Sequence, residues 1–389
     1  MNDIESLRPG FDRIQRRAFI VGLLGWVGLA VGAILSTTQF YQAYLYGYIL
    51  WFGLTIGCLG VLLLHHLVSG HWGHVIQRFL EAGALQTILM AVLFVPIVIG
   101  LHDLYPWTDH TYVEQSHVLE QKVGYLNIPF FLARTAGYFL FWILITLWLT
   151  KWSRRQDETA DASITPKIKM FTGPSTVLFV LTLSLASVDW FMSLEPEWYS
   201  TLYGMLVIVS SVLTTLAFCI LMISRLADRQ PFSEVLTTRH YHHLGNLMMA
   251  FTILWAYMAF SQFLIIWSGN LPEDNFWYLH RLGHGWNIIA GILVVGHFFL
   301  PLFLLLSRKT KRAIRSLSRI AVWILIMRFV DLFWMIVPSY GYDGVPLNVL
   351  YLVAPIAIGG VWIAAFLSQL KKQPVLPLHD PRFEAGAGH

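Results

Sequence analysis

The chain has 389 residues, of which 56% are hydrophobic and only 12% are charged, and its mean hydropathy is +0.60. A soluble globular protein needs more polar surface than this composition supplies, so we expect an integral membrane protein. The formal net charge of +4 is explained by the loops described below and does not indicate binding to nucleic acid.

The apolar residues collect in ten blocks, each of about 20 residues, the length that a helix needs to cross a hydrocarbon core of roughly 30 Å. Because the blocks are continuously apolar rather than alternating, they predict helices and not barrel strands. The sequence therefore predicts an all-α membrane protein with ten transmembrane helices, at residues 18–40, 44–68, 81–102, 128–150, 171–192, 199–224, 243–268, 284–307, 317–338 and 347–370.

Lys and Arg residues are concentrated in alternate loops. The N-terminal segment, the even-numbered loops and the C-terminal segment hold most of them, whereas the odd-numbered loops hold only Lys122 and Arg281. Positive residues are retained on the cytoplasmic side during insertion. We therefore predict that both termini are cytoplasmic. The first block is predicted to be a retained span, because no small-residue cleavage site and soluble domain follow it.

Charged residues inside a span are costly and are therefore candidates for function. In the ninth block, Arg328 and Asp331 are three residues apart, so they lie on one face of the helix. They are predicted to form either a structural ion pair or an element of a proton relay or gate. Near the outer end of the fifth block, Asp189 is predicted either to join a proton path or to cap a loop or pair with Arg134.

The 15 histidines raise the question of haem ligation. A di-haem cytochrome b needs histidines about four turns apart that face one cleft. Only His284 and His297 have a comparable separation within one block, and their spacing places them about 140° apart around the helix. His65 and His66, at the inner end of the second block, are predicted either to be interfacial or to admit protons from the cytoplasm.

Four segments, in this order along the chain, resemble one family. They are residues 188–198 (VDWFMSLEPEW), 255–273 (beginning WAYMAFSQFLIIW), 277–281 (WYLHR) and 328–334 (RFVDLFW). Together they resemble the membrane subunits of bacterial alternative complex III, a quinol:electron-acceptor (cytochrome c) oxidoreductase, within the broader NrfD and polysulfide-reductase membrane-subunit family. The resemblance covers nearly the whole chain, whose size is similar to that of the smaller, F-type membrane subunit.

The resemblance implies two four-helix bundles, formed by the second to fifth and the sixth to ninth helices, with the first and tenth helices at their flanks. The corresponding segments are residues 1–43 for the N-terminus and first helix, 44–198 and 199–340 for the bundles, and 341–389 for the tenth helix and a flexible cytoplasmic tail. It also implies a multi-pass protein of the bacterial cytoplasmic membrane.

The resemblance further implies menaquinol oxidation at the outer side of a larger complex. Haem and iron–sulfur clusters are expected in partner subunits, with no metal and no covalently bound cofactor in this chain. The implied partners are lipids, an iron–sulfur subunit, multihaem cytochrome c subunits, a homologous C-type membrane subunit, small membrane subunits and a haem–copper oxidase. The proton-path candidates are Asp189, Arg328, Asp331, His65, His66 and Arg134, and the quinone-binding candidates are Trp255, Gln262 and Glu273.

Two other classes of protein stay open as alternatives. A di-haem cytochrome b predicts a reduced b-type absorption band in the isolated chain. A secondary transporter predicts paired Gly or Pro interruptions at the membrane midplane in two halves. Pro96 and Pro301 fall within apolar blocks, but they do not occupy corresponding positions.

Overall fold

Ten long apolar helices form most of the computed structural model, which describes residues 3–377 and 380. No strand occurs among these residues, so the prediction of an all-α protein with ten membrane-spanning helices is confirmed. In chain order, helices α1 to α10 are Glu5–Leu35, Thr37–Val68, Gln77–Ile99, Ile128–Thr159, Ile164–Leu194, Tyr203–Leu226, Thr238–Gly269, Trp286–Leu306, Ile314–Tyr340 and Leu350–Leu370.

Several helices extend beyond the predicted apolar blocks, because charged residues continue the helical backbone past the hydrocarbon region. We call the side of the molecule that carries the Lys- and Arg-rich loops the inner side. On the opposite, outer side, a helix at Pro272–Leu282, here called the outer helix, connects α7 to α8. Shorter helical segments lie at His71–His74, Leu101–Leu104, Pro106–Thr108, His110–Glu114, His117–Lys122, Phe232–Val235 and Arg308–Arg312.

Helix contacts divide the molecule into two bundles. Helix α2 packs against α3 and α5, and α4 packs against α5, while α6 packs against α7 and α9, and α8 contacts α7 and α9. The bundles meet where α2 and α5 contact α6, and α2 and α6 bury the largest shares of their apolar residues. Helix α1 packs chiefly against α10, which also contacts α2. These contacts agree with two bundles that are flanked by the first and last helices.

The close approach of α1 and α10 depends on glycine. A Cβ atom on Gly360 would lie 2.3 Å from the Cα atom of Gly22, a distance that real side chains do not reach. Small residues allow two helix backbones to approach within the membrane, where van der Waals packing drives helix association. The Gly22–Gly360 contact therefore fixes α1 against the rest of the fold.

The chain after α10 folds back over the inner end of the first bundle. In residues 373–377, here called the inner strap, the Gln373, Val375 and Leu376 side chains are buried. Gln373 accepts a hydrogen bond from Arg154 Nε at 3.2 Å and donates one to Glu81 Oε2 at 3.3 Å. The sequence predicts a flexible tail here. The inner strap is instead packed and hydrogen-bonded, because a polar cluster beneath it supplies partners. Residues 378–379 and 381–389 of that tail lie outside the described residues.

Candidate functional site

The interior of the first bundle is filled by aromatic side chains. The Trp190 ring lies at the centre of this packing, with its centroid 4.9 Å from that of Phe52 and 4.8 Å from that of Phe94. Phe139 and Trp142 pack on the same ring at 5.5 and 6.0 Å. Such contacts add to the stability gained from burial, and they leave little space inside this bundle.

The second bundle instead contains a cavity of about 540 Å³ in its outer half, partly open to the surface, between α7, α8, α9 and the outer helix. Its volume falls within the range of small-molecule sites. The lining is almost entirely apolar and aromatic, and comprises Leu206, Trp255, Ala256, Ala259, Phe260, Gln262, Phe263, Trp277, Tyr278, Leu282, Ala290, Leu293, Val294, Phe298, Phe299, Asp331, Trp334 and Met335.

The cavity wall has three polar side chains at separate points. Gln262 accepts a hydrogen bond from Ser200 Oγ at 3.1 Å, which holds its amide against the outer loop. Burial raises the pKa of Tyr278 to about 12, although a hydrogen bond from Gln262 acts in the opposite direction. The third group is Asp331, which lies on α9. Few polar groups in an apolar cavity are typical of sites that orient one small ligand.

Arg328 and Asp331 form a buried ion pair on the shared face of α9 that their spacing predicted. Arg328 also donates a hydrogen bond from Nε to Thr214 Oγ1 on α6, at 3.3 Å. On this side a gap of about 10 Å³ is lined by the guanidinium together with Ser210 and Ser211. The pair therefore stands between the cavity, which Asp331 lines, and the hydroxyl-rich interface of α2 and α6.

His297, which the sequence raised only in connection with haem ligation, lies behind the cavity wall. It is fully buried, and its ring centroid is 4.1 Å from that of Trp255. The segment Leu293–Phe299 that carries it is π-helical. Such segments occur frequently at functional sites. His284, by contrast, is exposed on the outer side beside Asp343, so these two histidines do not face one cleft.

Asp189 is neutralised within the first bundle. Arg134 donates two hydrogen bonds to its carboxylate, at 2.9 and 2.8 Å, and Tyr138 donates a third at 2.9 Å. The Arg134 guanidinium in turn stacks on the Tyr125 ring at 3.8 Å. Of the alternatives drawn from the sequence, the pairing of Asp189 with Arg134 is the one that the structure contains.

Glu195 follows α5 on the outer side of the molecule, and its side chain is buried in a polar cluster beside the cavity. Its carboxylate oxygens lie 2.7 Å from Arg281 Nη1 and 3.3 Å from His280 Nδ1, and Oε1 accepts a hydrogen bond from Ser339 Oγ at 2.7 Å. Burial alone would raise the pKa of Glu195, but the Arg281 charge and these hydrogen bonds together hold it below its ordinary value.

His65 and His66 are both buried at the inner end of α2, and their ring centroids are 5.2 Å apart. The His74 ring lies 4.7 Å from that of His65. Next to them is a buried cluster that the sequence analysis did not predict, in which Arg78 is ion-paired with Glu81 at 2.7 Å and with Asp157. The inner strap covers this cluster.

The structure brings two of the three quinone-binding candidates into one place. Trp255 and Gln262 both line the cavity, whereas Glu273 is exposed in the first turn of the outer helix and does not line it. The proton-path candidates lie in different parts of the molecule: the Asp189 pair in the first bundle, the Arg328 pair in the second, and the two histidines at the inner end of α2.

The fold and this site define a multi-pass helical membrane protein with an apolar cavity in its second bundle. No protein-family model and no curated protein sequence matches the chain. In the part of the chain that the structure describes, no group of three or more His, Cys, Asp or Glu side chains is arranged to hold a metal ion.

Proposed function

We propose that this chain is the F-type membrane subunit of a quinol:electron-acceptor oxidoreductase of the alternative complex III class, in the bacterial cytoplasmic membrane. Two observations support the proposal. The four segments that resemble this family occur in order along the chain, and three of them contribute residues to the cavity wall: residues 255–273, 277–281 and 328–334.

The cavity is the observation that carries the proposal. A quinol has a flat ring with an oxygen at each end and a long apolar tail, so it requires an apolar slot with few, well-separated polar groups. The amide of Gln262, the hydroxyl of Tyr278 and the carboxylate of Asp331 are such groups. The outer half of the second bundle is also within reach of the outer leaflet, because Phe260 and Ile265 of α7 are exposed on the lipid-facing side.

The Arg328–Asp331 pair supports a role in proton transfer. Quinol oxidation releases two protons and two electrons, and the electrons pass to haem and iron–sulfur centres of partner subunits. Asp331 is the carboxylate that lines the cavity, and it is ion-paired with Arg328; we propose it as the group that first accepts a proton from the quinol. On the far side of the pair, the hydroxyls of Ser210 and Thr214 supply hydrogen-bonding groups for onward transfer. We propose that the same path continues at other depths of the membrane through Asp189, Arg134, His65 and His66.

Binding of a quinol analogue to the purified chain tests the cavity. The probe is 2-heptyl-4-hydroxyquinoline N-oxide, whose fluorescence is quenched when it binds to protein. Ala290 lines the cavity, whereas a side chain at its neighbour Gly291 would enter open space. We expect Ala290→Trp to abolish quenching and the matched control Gly291→Trp to retain it. Equal quenching in the two variants would place the probe elsewhere and remove the cavity from the proposal.

Purification from native membranes in a mild detergent tests the complex. We expect c-type haem, an iron–sulfur protein and a second large membrane subunit to accompany the chain. A reduced b-type absorption band in the isolated chain would instead support the di-haem cytochrome alternative. Isolation of the chain alone, with substrate-dependent transport in vesicles, would support a secondary transporter.

A further inference from the structure

We propose that Arg281, neutralised by Glu195, is a positioning residue that sets the outer wall of the cavity. The inference rests on the proposed function of that cavity as a quinol site. Arg281 itself is absent from the cavity lining, and its side chain is fully buried. It acts through three residues that do line the cavity.

Arg281 contacts each of these three wall residues. Its guanidinium lies 3.7 Å from the ring centroid of Trp277, and Nη1 donates to the Trp277 carbonyl at 2.9 Å. Nη2 donates to the carbonyl of Met335 at 2.9 Å. The Arg281 carbonyl accepts a hydrogen bond from Trp334 Nε1 at 3.2 Å. One residue therefore fastens the outer helix to the outer end of α9, on both sides of the same wall.

The charge of Arg281 is balanced from the other bundle. Glu195 belongs to the turn that follows α5, and its Oε1 lies 2.7 Å from Arg281 Nη1. Ser339 connects the two, because its hydroxyl accepts from Arg281 Nη2 at 2.7 Å and donates to Glu195 Oε1 at 2.7 Å. A buried guanidinium without such a partner would be strongly destabilising. The position of the cavity wall thus depends on a residue of the first bundle.

The geometry requires arginine rather than a general positive charge. The planar guanidinium stacks on the Trp277 ring and directs separate N–H groups to the Trp277 carbonyl, the Met335 carbonyl and Ser339. A lysine ammonium carries the same charge, but it has neither the flat face nor the fixed fork of donors. We therefore expect Arg281→Lys to preserve charge balance with Glu195 while releasing the wall.

The first measurement is binding of 2-heptyl-4-hydroxyquinoline N-oxide to the full chain. We expect Arg281→Lys to weaken binding by about tenfold, the effect of losing one or two charge-assisted hydrogen bonds. Ser339→Ala leaves both charges in place and is expected to weaken it by about threefold. The matched control is Arg78→Lys, the same change at a buried, ion-paired arginine at the inner end of the first bundle, and it should bind as the wild type does.

The second measurement follows the position of the cavity wall by cysteine labelling, without a quinol analogue. Ala259 lines the cavity, and the two native cysteines are buried, so N-ethylmaleimide should label the thiol of an Ala259→Cys variant selectively. Adding Arg281→Lys should accelerate labelling by about fivefold, because the released wall opens more often. An unchanged labelling rate would overturn the positioning role. Failure of the wild type to bind the probe, with labelling still accelerated, would reject the quinol site and leave this role standing.

Discussion

Arg281 lies in a loop that is otherwise poor in Lys and Arg, and its side chain is buried against Glu195. Arg281 and Lys122 are the two basic residues in the otherwise Lys- and Arg-poor loops. In the structure Arg281 is ion-paired with Glu195, and Lys122 Nζ donates to the carbonyl of Pro196 at 2.7 Å. Both exceptions therefore hold the turn after α5. The charge pattern contained this signal, but it gave no partner, because the pairing joins residues 86 positions apart (281 − 195).

The lowered pKa of Glu195 predicts a particular dependence of stability on pH. Its ordinary value is 4.5, and the folded value lies below that. The ion pair therefore contributes fully above about pH 4.5, and its contribution is lost as the pH falls through the lower folded value. We expect Glu195→Gln to reduce stability by about 3 kcal/mol at neutral pH, because it leaves Arg281 buried without a counter-charge.

Thermal unfolding in detergent, recorded from neutral pH downwards, measures this effect. The difference in melting temperature between the wild type and Glu195→Gln should stay constant to about pH 4.5 and then shrink. Glu197→Gln, two residues along and exposed, is the control and should change little at any pH. A difference that grows as the pH falls would have the wrong sign for a paired carboxylate.

The Arg328–Asp331 pair permits a test that separates a relay from a structural ion pair. Asp331→Asn alone should cost about 3–5 kcal/mol and impair assembly, because Arg328 stays charged and buried. The double variant Arg328→Met with Asp331→Leu removes both charges and should restore assembly. If the pair carries protons, the restored complex should still translocate fewer protons per electron in proteoliposomes. Normal proton translocation in the double variant would show that the pair only supports the fold.

At the scale of elements, the inner strap packs against the inner end of the first bundle and becomes part of its core. Leu376 is buried, and Gln373 is hydrogen-bonded to both Arg154 and Glu81. We expect Leu376→Asp to lower the melting temperature, because a carboxylate would occupy an apolar contact. The same change should increase modification of His74 by diethylpyrocarbonate, read by peptide mass spectrometry.

Lys372 lies immediately before the strap and is exposed, so Lys372→Ala is the control for that experiment. It should leave both the melting temperature and the modification of His74 unchanged. If Leu376→Asp behaves like this control, the strap does not shield the inner cluster.

The helices themselves were predictable from sequence because each apolar block is long enough to span the membrane, and all ten blocks correspond to helices. The ion pair of Arg328 with Asp331 could also be predicted from the sequence, since i and i+3 positions share a helix face. The cavity could not be predicted in this way. Phe139 and Trp142 fill one bundle, whereas Ala259 and Ala290 leave room in the other. Composition along a single helix does not reveal which side chains meet across a bundle, so this difference appears only after packing.

For the whole molecule, the distribution of basic residues predicts how it lies in the membrane. Leu347 is fully exposed between α9 and α10, and Lys309 is exposed between α8 and α9. In right-side-out vesicles, a membrane-impermeant maleimide should label a Leu347→Cys variant but not a Lys309→Cys variant until the membrane is opened. The reverse pattern would invert the orientation, and with it the side on which the cavity opens.

The first bundle has a packed aromatic interior, whereas the second contains the cavity. The second bundle should therefore be the more compressible of the two. The apolar cavity of about 540 Å³ loses volume when its walls move together, so hydrostatic pressure favours that movement. The aromatic rings around Trp190 are instead packed against one another. Apolar cavities also take up xenon. Compression should therefore move α7 and α8 before it moves α3 and α4, and pressurised xenon should collect beside Trp255, until a ligand occupies the space.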